Sequence, residues 1–595
     1  MKKIKQWMSI QKYKNTRGLL LGGIVIFNVC LWFFSSLLAY IIAPGTYGDI
    51  ASALWKSGIT WMLEPGFYDP NVDVGIRIIS IIVILLSMIT FTGGIIGYVA
   101  SLFSSILESS KQGKGKLSMY DHILILNWNT KALELLVDYR FDDEVTNIVI
   151  LASNDKEEIE TAIKRKLYDV KGIPASKMNI IVRQGEVFSR SDLMNVSIEQ
   201  ARTIIILADE VDDSYAIEKN ADILAMKTLM LVSNLNIKPE QTIIVEVKQE
   251  KTLSLINEKI APRMGIKEQV IPVLPDELMG RLIAQTILMP DLNQVYKELF
   301  SFEGAEVYTI NEVDIVDYLR THSHVVPVFK RGKYTYIVSE NKKNLDIKRS
   351  VPLTSYQSLH IDETNHYHNK DILIFGKNNK LKYILDSINL YQKENDTIVN
   401  VTLIESNDAS VIEKSTKDLK HIDTILILSA DYLEPKEFDS DVLVTLLLIQ
   451  EIAKLHHAEI IIELLDPRHY DIAQSYNIQN TIISNKYISR LFTQLSKNRY
   501  LHSFYHDLLT YDEENAAEES YEIYAYRAQD LIEGTYPLQF SSKSDFIYSC
   551  YMSGHQEYSM IGLIQNNQLD IFKGNLDERV PLIINKDDVV ITICK

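Results

Sequence analysis

HILILNWNTKALELLVDYR, residues 122 to 140, decides how most of this chain is read. It opens with a short, continuous apolar run and ends with an amphipathic helix beginning near Thr130. An apolar run of strand length, a tight turn and a helix together form the starting unit of a parallel sheet covered on both faces. The pattern repeats downstream. NIVILAS (147–153), NIIVRQG (179–185), ARTIIILAD (201–209), TIIVEVK (242–248) and EQVIPV (268–273) read as strands separated by helices. This alternation predicts a doubly wound, Rossmann-like α/β module.

The turn of the opening unit reads Asn127-Trp128-Asn129-Thr130, without the three glycines of the dinucleotide fingerprint. A backbone bearing side chains there cannot approach a pyrophosphate closely, and Trp128 fills the space a cofactor needs. NAD is therefore not expected. Neither a Ser-His-Asp set, nor His-Glu-x-x-His, nor a P-loop is present, and no catalytic residue or enzymatic activity is assigned. His456-His457 reads as a surface pair.

The same strand-turn-helix unit recurs as KDILIFGKNNKLKYILDSI (370–388), now with a single glycine, Gly376. Further strands follow in TIVNVTLIESN, IDTILILSAD and EIIIELLDP. Each half closes on a β-rich stretch. The first has VVPVFKRGKYTYIVS (325–339); the second has MIGLIQNNQLDIFKG and NKDDVVITI (585–593). An internal repeat of this size predicts two tandem two-lobed modules, each with a small β-rich C-terminal lobe.

Upstream the chain changes character. Residues 18 to 43 and 78 to 107 carry no charge, and each run exceeds the roughly 20 apolar residues that cross a bilayer. The first is too long for the 7–15-residue apolar region of a signal peptide, by the order-of-magnitude rule for such leaders. Lys2, Lys3, Lys5, Lys12, Lys14 and Arg17 precede the first run, and Lys111, Lys114 and Lys116 follow the second. The loop between them carries Asp49, Glu64, Asp69 and Asp73 against Lys56 and Arg77. By the positive-inside rule both termini are cytoplasmic and the loop faces out, giving a multi-pass protein of the plasma membrane.

Within that loop, Ile50, Ala53, Leu54, Ser57 and Trp61 fall at helical spacing after Asp49, a residue suited to an N-cap. Glu64-Pro65-Gly66 then ends the helix. Two readings stay open at this point. One is a pore loop with Glu64, Pro65, Gly66, Phe67, Tyr68 and Asp69 as ion entrance and selectivity segment. The other is an extracellular hairpin in a two-span anchor. A two-span chain cannot enclose a pathway alone, so the first reading requires an oligomer, and acids repeated around it favour cations. In the second span Gly93, Gly94 and Gly97 are either a gating hinge or sites of close helix packing.

The net charge of -17 argues against nucleic acid as a partner, because phosphate binding needs basic surface. The three cysteines, Cys30, Cys550 and Cys594, are too few and too scattered for a disulfide framework or a zinc site.

Several longer stretches carry a family resemblance. GEVFSRSDLMNVSIEQARTIIILADE (185–210), LMGRLIAQTILMPDLNQVYKELFSFEGAEVY (278–308) and IIIELLDPRHYDIAQSYNIQNTIISNKYISRLFTQLSKN resemble segments of the CASTOR/POLLUX ion channels. These are two-span pore-loop channels with tandem RCK (regulator of potassium conductance) domains. The Glu64-Pro65-Gly66 turn is similar to the Asp-Pro-Gly of bacterial members. The resemblance implies a homotetramer in membrane lipid whose cytoplasmic modules form a gating ring. It also implies a pore passing potassium, calcium or both, with no Thr-Val-Gly-Tyr-Gly filter. The alternative is a non-conducting, membrane-anchored ligand-sensing subunit.

On the channel reading the division is as follows: basic N-terminus 1–17, first span 18–43, pore helix and loop 48–72, second span 74–108, linker 109–118. The first RCK module then has lobes 119–260 and 261–368, and the second has 369–505 and 506–595. A gating ligand, unidentified but cytoplasmic, is expected beyond the carboxyl ends of the strands. In the first module those ends are Asn127, Trp128, Asn129, Ser153, Asp155, Gln184 and Gly185; in the second they are Lys377 and Glu405. Asp209, Glu210, Asp212 and Asp213 either hold a divalent cation such as regulatory calcium or form an acidic helix start.

Overall fold

The computed structural model describes residues 16–59, 61, 73–111, 115–141, 146–169, 178–208, 216–301, 304–362, 369–406, 408–417, 419–429, 439–476, 478, 480–511, 521–578 and 580–595. The chain divides into two units, Met1–Gly115 and Lys116–Lys595.

In the first unit, helix α1 spans Thr16–Ile42. Helix α2 (Val74–Ser87) starts at an Asp73 cap, whose carboxylate accepts from the Gly75 amide at 3.1 Å. It runs through a π turn at Met88–Thr92 into α3 (Gly93–Lys111). Two apolar stretches, Gly22–Ile42 and Val74–Ser104, are 21 and 31 residues long, enough to span a bilayer. Ile26, Phe34, Ile41 and Ile89 are all more than 60% exposed on them, and such side chains are stable only against lipid or another chain. This is a membrane protein.

A polar bond and a close approach join the two spans. Thr90 donates to the Asn28 side chain at 3.1 Å, and Asn28 is buried. A Cβ on Gly94 would stand 2.8 Å from Ile24 Cδ1, whereas one on Gly97 would meet nothing within 4 Å. Small residues permit such approaches between membrane helices. The glycine cluster is thus uneven: Gly94 packs, Gly97 faces open space, and Gly93 adjoins the π turn.

The second unit begins with a six-stranded parallel sheet. Its strands are β1 (His122–Leu126), β2 (Asn147–Ala152), β3 (Asn179–Gln184), β4 (Ala201–Ile206), β5 (Thr242–Glu246) and β6 (Val270–Val273). Their order is β3-β2-β1-β4-β5-β6, the doubly wound arrangement expected from the sequence. Strand β1 is buried at every position because helices cover both faces. Helix α4 (Thr130–Asp138) follows β1. Strand β6 belongs to this sheet, so the first sheet runs past the boundary expected at residue 260.

Helices α5 (Pro275–Leu288) and α6 (Leu292–Leu299) lead out of that sheet to an antiparallel three-stranded lobe of residues 306–339. The second copy then begins. Its strands are β7 (Lys370–Phe375), β8 (Val399–Ile404), β9 (Thr424–Ile427), β10 (Glu459–Leu464) and β11 (Asn480–Ile483), in the order β8-β7-β9-β10-β11. Among the described residues nothing in this sheet corresponds to β3. Helix α7 (Leu381–Glu394) follows β7, and α8 (Ser484–Lys497) and α9 (Leu501–Leu508) lead to a four-stranded antiparallel C-terminal sheet.

The copies exchange helices. Helix α5 of the first packs on α7 of the second, while α8 of the second packs on α4 of the first. At one crossing the Ser489 hydroxyl donates to the Lys131 carbonyl at 2.9 Å. At the other the equivalent residue is Gly280, where a Cβ would lie 2.9 Å from the Lys380 carbonyl and 2.6 Å from Tyr383 Cβ. Both crossings and both lobes share one continuous core.

Candidate functional site

The crevice at the ends of β1 and β4 is built from the turn that the opening stretch of sequence supplies. Asn127 turns the chain with a φ of 81°, and Gly376 does the same in the second copy with 84°. Asparagine is among the few residues with a side chain that adopt this region readily. The Asn129 carbonyl oxygen caps α4, accepting from the Lys131 and Ala132 amides at 3.1 and 3.2 Å. Its amide nitrogen donates to the Ala208 carbonyl at 3.1 Å and to Glu246 Oε2 at 3.3 Å. Glu246 also accepts from the Ala208 amide at 2.9 Å, and its other oxygen lies 3.1 Å from Lys131 Nζ. Glu246 is fully buried and Lys131 nearly so.

The second copy repeats this triad atom for atom. Asn378 donates to the Ser429 carbonyl at 2.8 Å and to Glu463 Oε2 at 3.0 Å. The Ser429 amide donates to Glu463 at 3.3 Å, and Lys380 Nζ lies 3.4 Å from Glu463 Oε1. Lys380 additionally reaches Asp276 of the first copy at 3.7 Å. A buried carboxylate is tolerable only when paired and hydrogen-bonded, as both of these are. The triads therefore set paired, hydrogen-bonded charges at the carboxyl ends of the strands, where the ligand crevice of such a sheet is expected. Lys131, Glu246, Lys380 and Glu463 were not among the residues singled out from sequence. The signal for them is the repeat itself, since Asn-x-Lys recurs at 129–131 and 378–380, and a glutamate ends β5 and lies within β10.

The other crevice residues sit nearby but do not converge on one point. Trp128 is half-buried against the core and so belongs to the packing. Ser153 and Asp155 are exposed; Asp155 caps the following helix, accepting from Glu157 at 2.8 Å and Glu158 at 3.1 Å. Gln184 reaches the Ser153 carbonyl at 3.4 Å, tying the ends of β2 and β3. At Gly185 a Cβ would meet Leu151 at 3.0 Å and Asp192 at 3.1 Å, which explains a small residue there. Lys377 and Glu405 pair with each other at 3.3 Å on open surface.

Asp209, Glu210, Asp212 and Asp213 lie outside the described residues, as do Glu64, Pro65, Gly66, Phe67, Tyr68 and Asp69. Among the described residues no group of three or more His, Cys, Asp or Glu is arranged to hold a metal ion.

The approach to the loop between the spans is described. Asp49 caps a short helix at Ile50–Ala53, accepting from the Ser52 amide at 2.9 Å. The helix continues as a π turn over Leu54–Ile59. It lies against α1, where Trp32 Nε1 donates to the Leu54 carbonyl at 3.0 Å. Ala53, Ser57 and Trp61 are buried, and Trp61 meets Tyr47 edge-on at 6.3 Å.

Comparison with known proteins agrees with this architecture. A family model of the calcium-activated potassium channel slowpoke-like RCK domain matches residues 121–245. The probable ion channel POLLUX of Oryza sativa subsp. japonica is 24% identical, over 89% of this chain and 61% of its own length. The calcium-gated potassium channel TvoK of Thermoplasma volcanium is 28% identical, over 41% of this chain and 66% of its own. The chain thus spans less than two thirds of the length of either relative. The human SLO3 gating ring superimposes with a TM-score of 0.50 at 11% identity, covering 80% of this chain and 99% of that one. Homologues of this chain are therefore ion channels, and its fold in the second unit is that of RCK gating rings.

Proposed function

We propose that this chain is the pore-forming subunit of a ligand-gated cation channel, a homotetramer in the plasma membrane with both termini cytoplasmic. The observation that supports this most is the capped helix at Ile50–Ala53, held against α1 by the bond from Trp32 to Leu54 with its Ala53–Ser57–Trp61 face buried. A hairpin outside the membrane has no need of such seating, whereas a pore helix aims its carboxyl end, and the acids after it, at a pathway. Glu64 and Asp69 follow directly in sequence.

The permeant ions are potassium, calcium or both, and the twin modules form the gating ring. A cytoplasmic ligand opens the pore by binding the open ring better than the closed one. Calcium is the first regulator to try, because TvoK is named as calcium-gated. Dinucleotides are not proposed, since the turn at Asn127–Thr130 lacks the three fingerprint glycines.

Reconstitution into planar bilayers tests the proposal. Cation-selective current with a measurable reversal potential in potassium, sodium and calcium gradients is expected, altered in Glu64→Gln or Asp69→Asn. Absence of current under every ligand condition, from protein shown to be folded, would remove the channel reading in favour of a ligand-sensing anchor.

A further inference from the structure

The internal repeat supplies its own control for one cavity. Helix α6 of the first copy corresponds to α9 of the second, LNQVYKEL (292–299) against LHSFYHDL (501–508). Helix α5 corresponds to α8, LMGRLIAQ (278–285) against YISRLFTQ (487–494). Each of α6 and α9 lies against the other copy's sheet edge, so the molecule makes the same crossing twice.

At the first crossing the space is filled. Asn293 of α6 donates to Asn480 of β11 at 2.9 Å, and the Tyr487 hydroxyl of α8 donates to Asn293 at 3.1 Å. All three are buried. At the second crossing the three corresponding residues are His502, Ile271 and Leu278. All three line a cavity of about 470 Å³. Leucine in place of tyrosine removes a phenol ring, and isoleucine in place of asparagine removes the hydrogen-bond partner. His502 is left at the exposed rim of the gap, its ring 6.3 Å from that of His506. An opening this large, with exposed His502 and His506 at its rim, at a place the same chain elsewhere closes, is a groove with room for an occupant.

The lining defines its chemistry. The floor is apolar, from Val270, Leu274, Leu491 and Leu509. Around it stand Arg281, Arg499, His502 and His506 on one side of the charge balance, with Glu268 and Glu277 on the other. Arg281 is spent on Glu277 at 2.5 Å. That leaves Arg499, which also donates to the Pro239 carbonyl at 3.2 Å, against Glu268, while His502 and His506 add imidazole donors, the latter 3.9 Å from Asp507. Arg499 lies over the Tyr500 ring at 5.4 Å. The geometry points to a binding site, between the two copies and apart from the strand-end crevices, for a small organic anion with a flat ring. The ring takes the place of the missing phenol, and the anionic head meets His502 and Arg499.

The test is thermal melting of the full chain in detergent with two probes, 4-hydroxyphenylacetate and adenosine monophosphate. They distinguish a carboxylate from a phosphate head; 4-hydroxyphenylacetamide and adenosine are the neutral controls. A saturable rise in Tm with at least one anion is expected, and little rise with its neutral analogue. The double variant Leu278→Tyr/His502→Asn restores two of the three residues of the first crossing at the second and fills the space with a phenol ring. It should melt at or above the parent temperature and lose the response at least tenfold in probe concentration. Arg499→Gln should weaken the response without affecting the melt. No rise with either anion, an equal rise with the neutral analogues, or an undiminished response in the double variant would overturn the proposal. None of these readouts depends on ion conduction.

Discussion

Two buried residues carry the sharpest expectations. Lys131 and Lys380 each neutralise a wholly buried glutamate, at 3.1 and 3.4 Å. Removing one partner strands the other, at a cost of about 3–5 kcal/mol, while removing both charges together is far milder. Chemical denaturation of residues 116–595 should therefore show Lys380→Met losing about that much, with most of it regained in Lys380→Met/Glu463→Gln. Asp138 makes a different case. It is 4% exposed, and burial pushes its carboxyl up to about 7 although Arg490 stands 3.5 Å away. The folded state thus holds a proton that the unfolded state has released above the usual value of 3.8. Stability from this residue is present below pH 4 and lost as pH rises towards 7. Asp138→Asn should match the parent near pH 4 and exceed it at pH 8, read as the difference between their melting curves. Neither residue was legible as a site. A lysine or aspartate on a helix reads as a solvated face until the partner that buries it is known, and that partner lies more than eighty residues away in each case. Asn127 and Asn129 were placed in the turn from sequence because a strand-turn-helix unit is local; that one turns the chain at a positive φ and the other caps the helix it starts came from the structure.

At the scale of elements, glycines separate packing from freedom. Three were grouped from sequence as either a hinge or sites of close helix packing, yet their surroundings differ, and Gly280 is tighter than any of them. A side chain at Gly94 would first meet the flexible end of Ile24, so Gly94→Ala should be tolerated while Gly94→Leu should not. Gly97→Leu should be tolerated outright, judged by thermal stability in detergent. At Gly280 the obstacles are the Lys380 carbonyl and the Tyr383 Cβ, neither of which can swing aside. Gly280→Ala should cost about 1–3 kcal/mol by overpacking. Ser489→Ala, at the matching position of α8, should cost about 1 kcal/mol for its lost hydrogen bond. Strands of both sheets were plain in the sequence because a buried parallel strand is a continuous apolar run. Strand β11 was not, because its apolar run is only Ile482-Ile483, whereas the equally short β6 and β9 sit in longer apolar runs. Nor was the missing counterpart of β3 visible in advance, as an absent strand leaves no pattern.

The second unit is held together by exchanged helices, and this has a consequence for cutting it. Leu282, Ile283, Ala284 and Leu288 of α5 are at most 1% exposed, and Leu491, Phe492 and Leu495 of α8 at most 2%. Helix α5 faces α7 and α8 faces α4, across the boundary between the copies. The repeat was readable in the sequence, and it suggests two self-sufficient domains joined in tandem. Which copy a crossover helix packs against is not written in its amphipathic pattern, because either copy offers the same kind of apolar surface. Exchange makes the copies one cooperative body instead. Residues 116–595, a unit separate from the membrane helices, should express as a soluble protein with a single melting transition. Divided between 362 and 369, each half should fail alone, exposing the apolar face of its crossover helix and aggregating or melting without cooperativity. Expressed together, the halves should assemble one to one and regain a single transition. Two halves that melt sharply and independently would mean that the lobes, not the exchanged helices, carry the stability. A single body also gives the proposed channel its lever. An occupant of the cavity between α5, α8 and α9 acts on both copies at once, because no part of either copy can shift without moving a helix seated in the other.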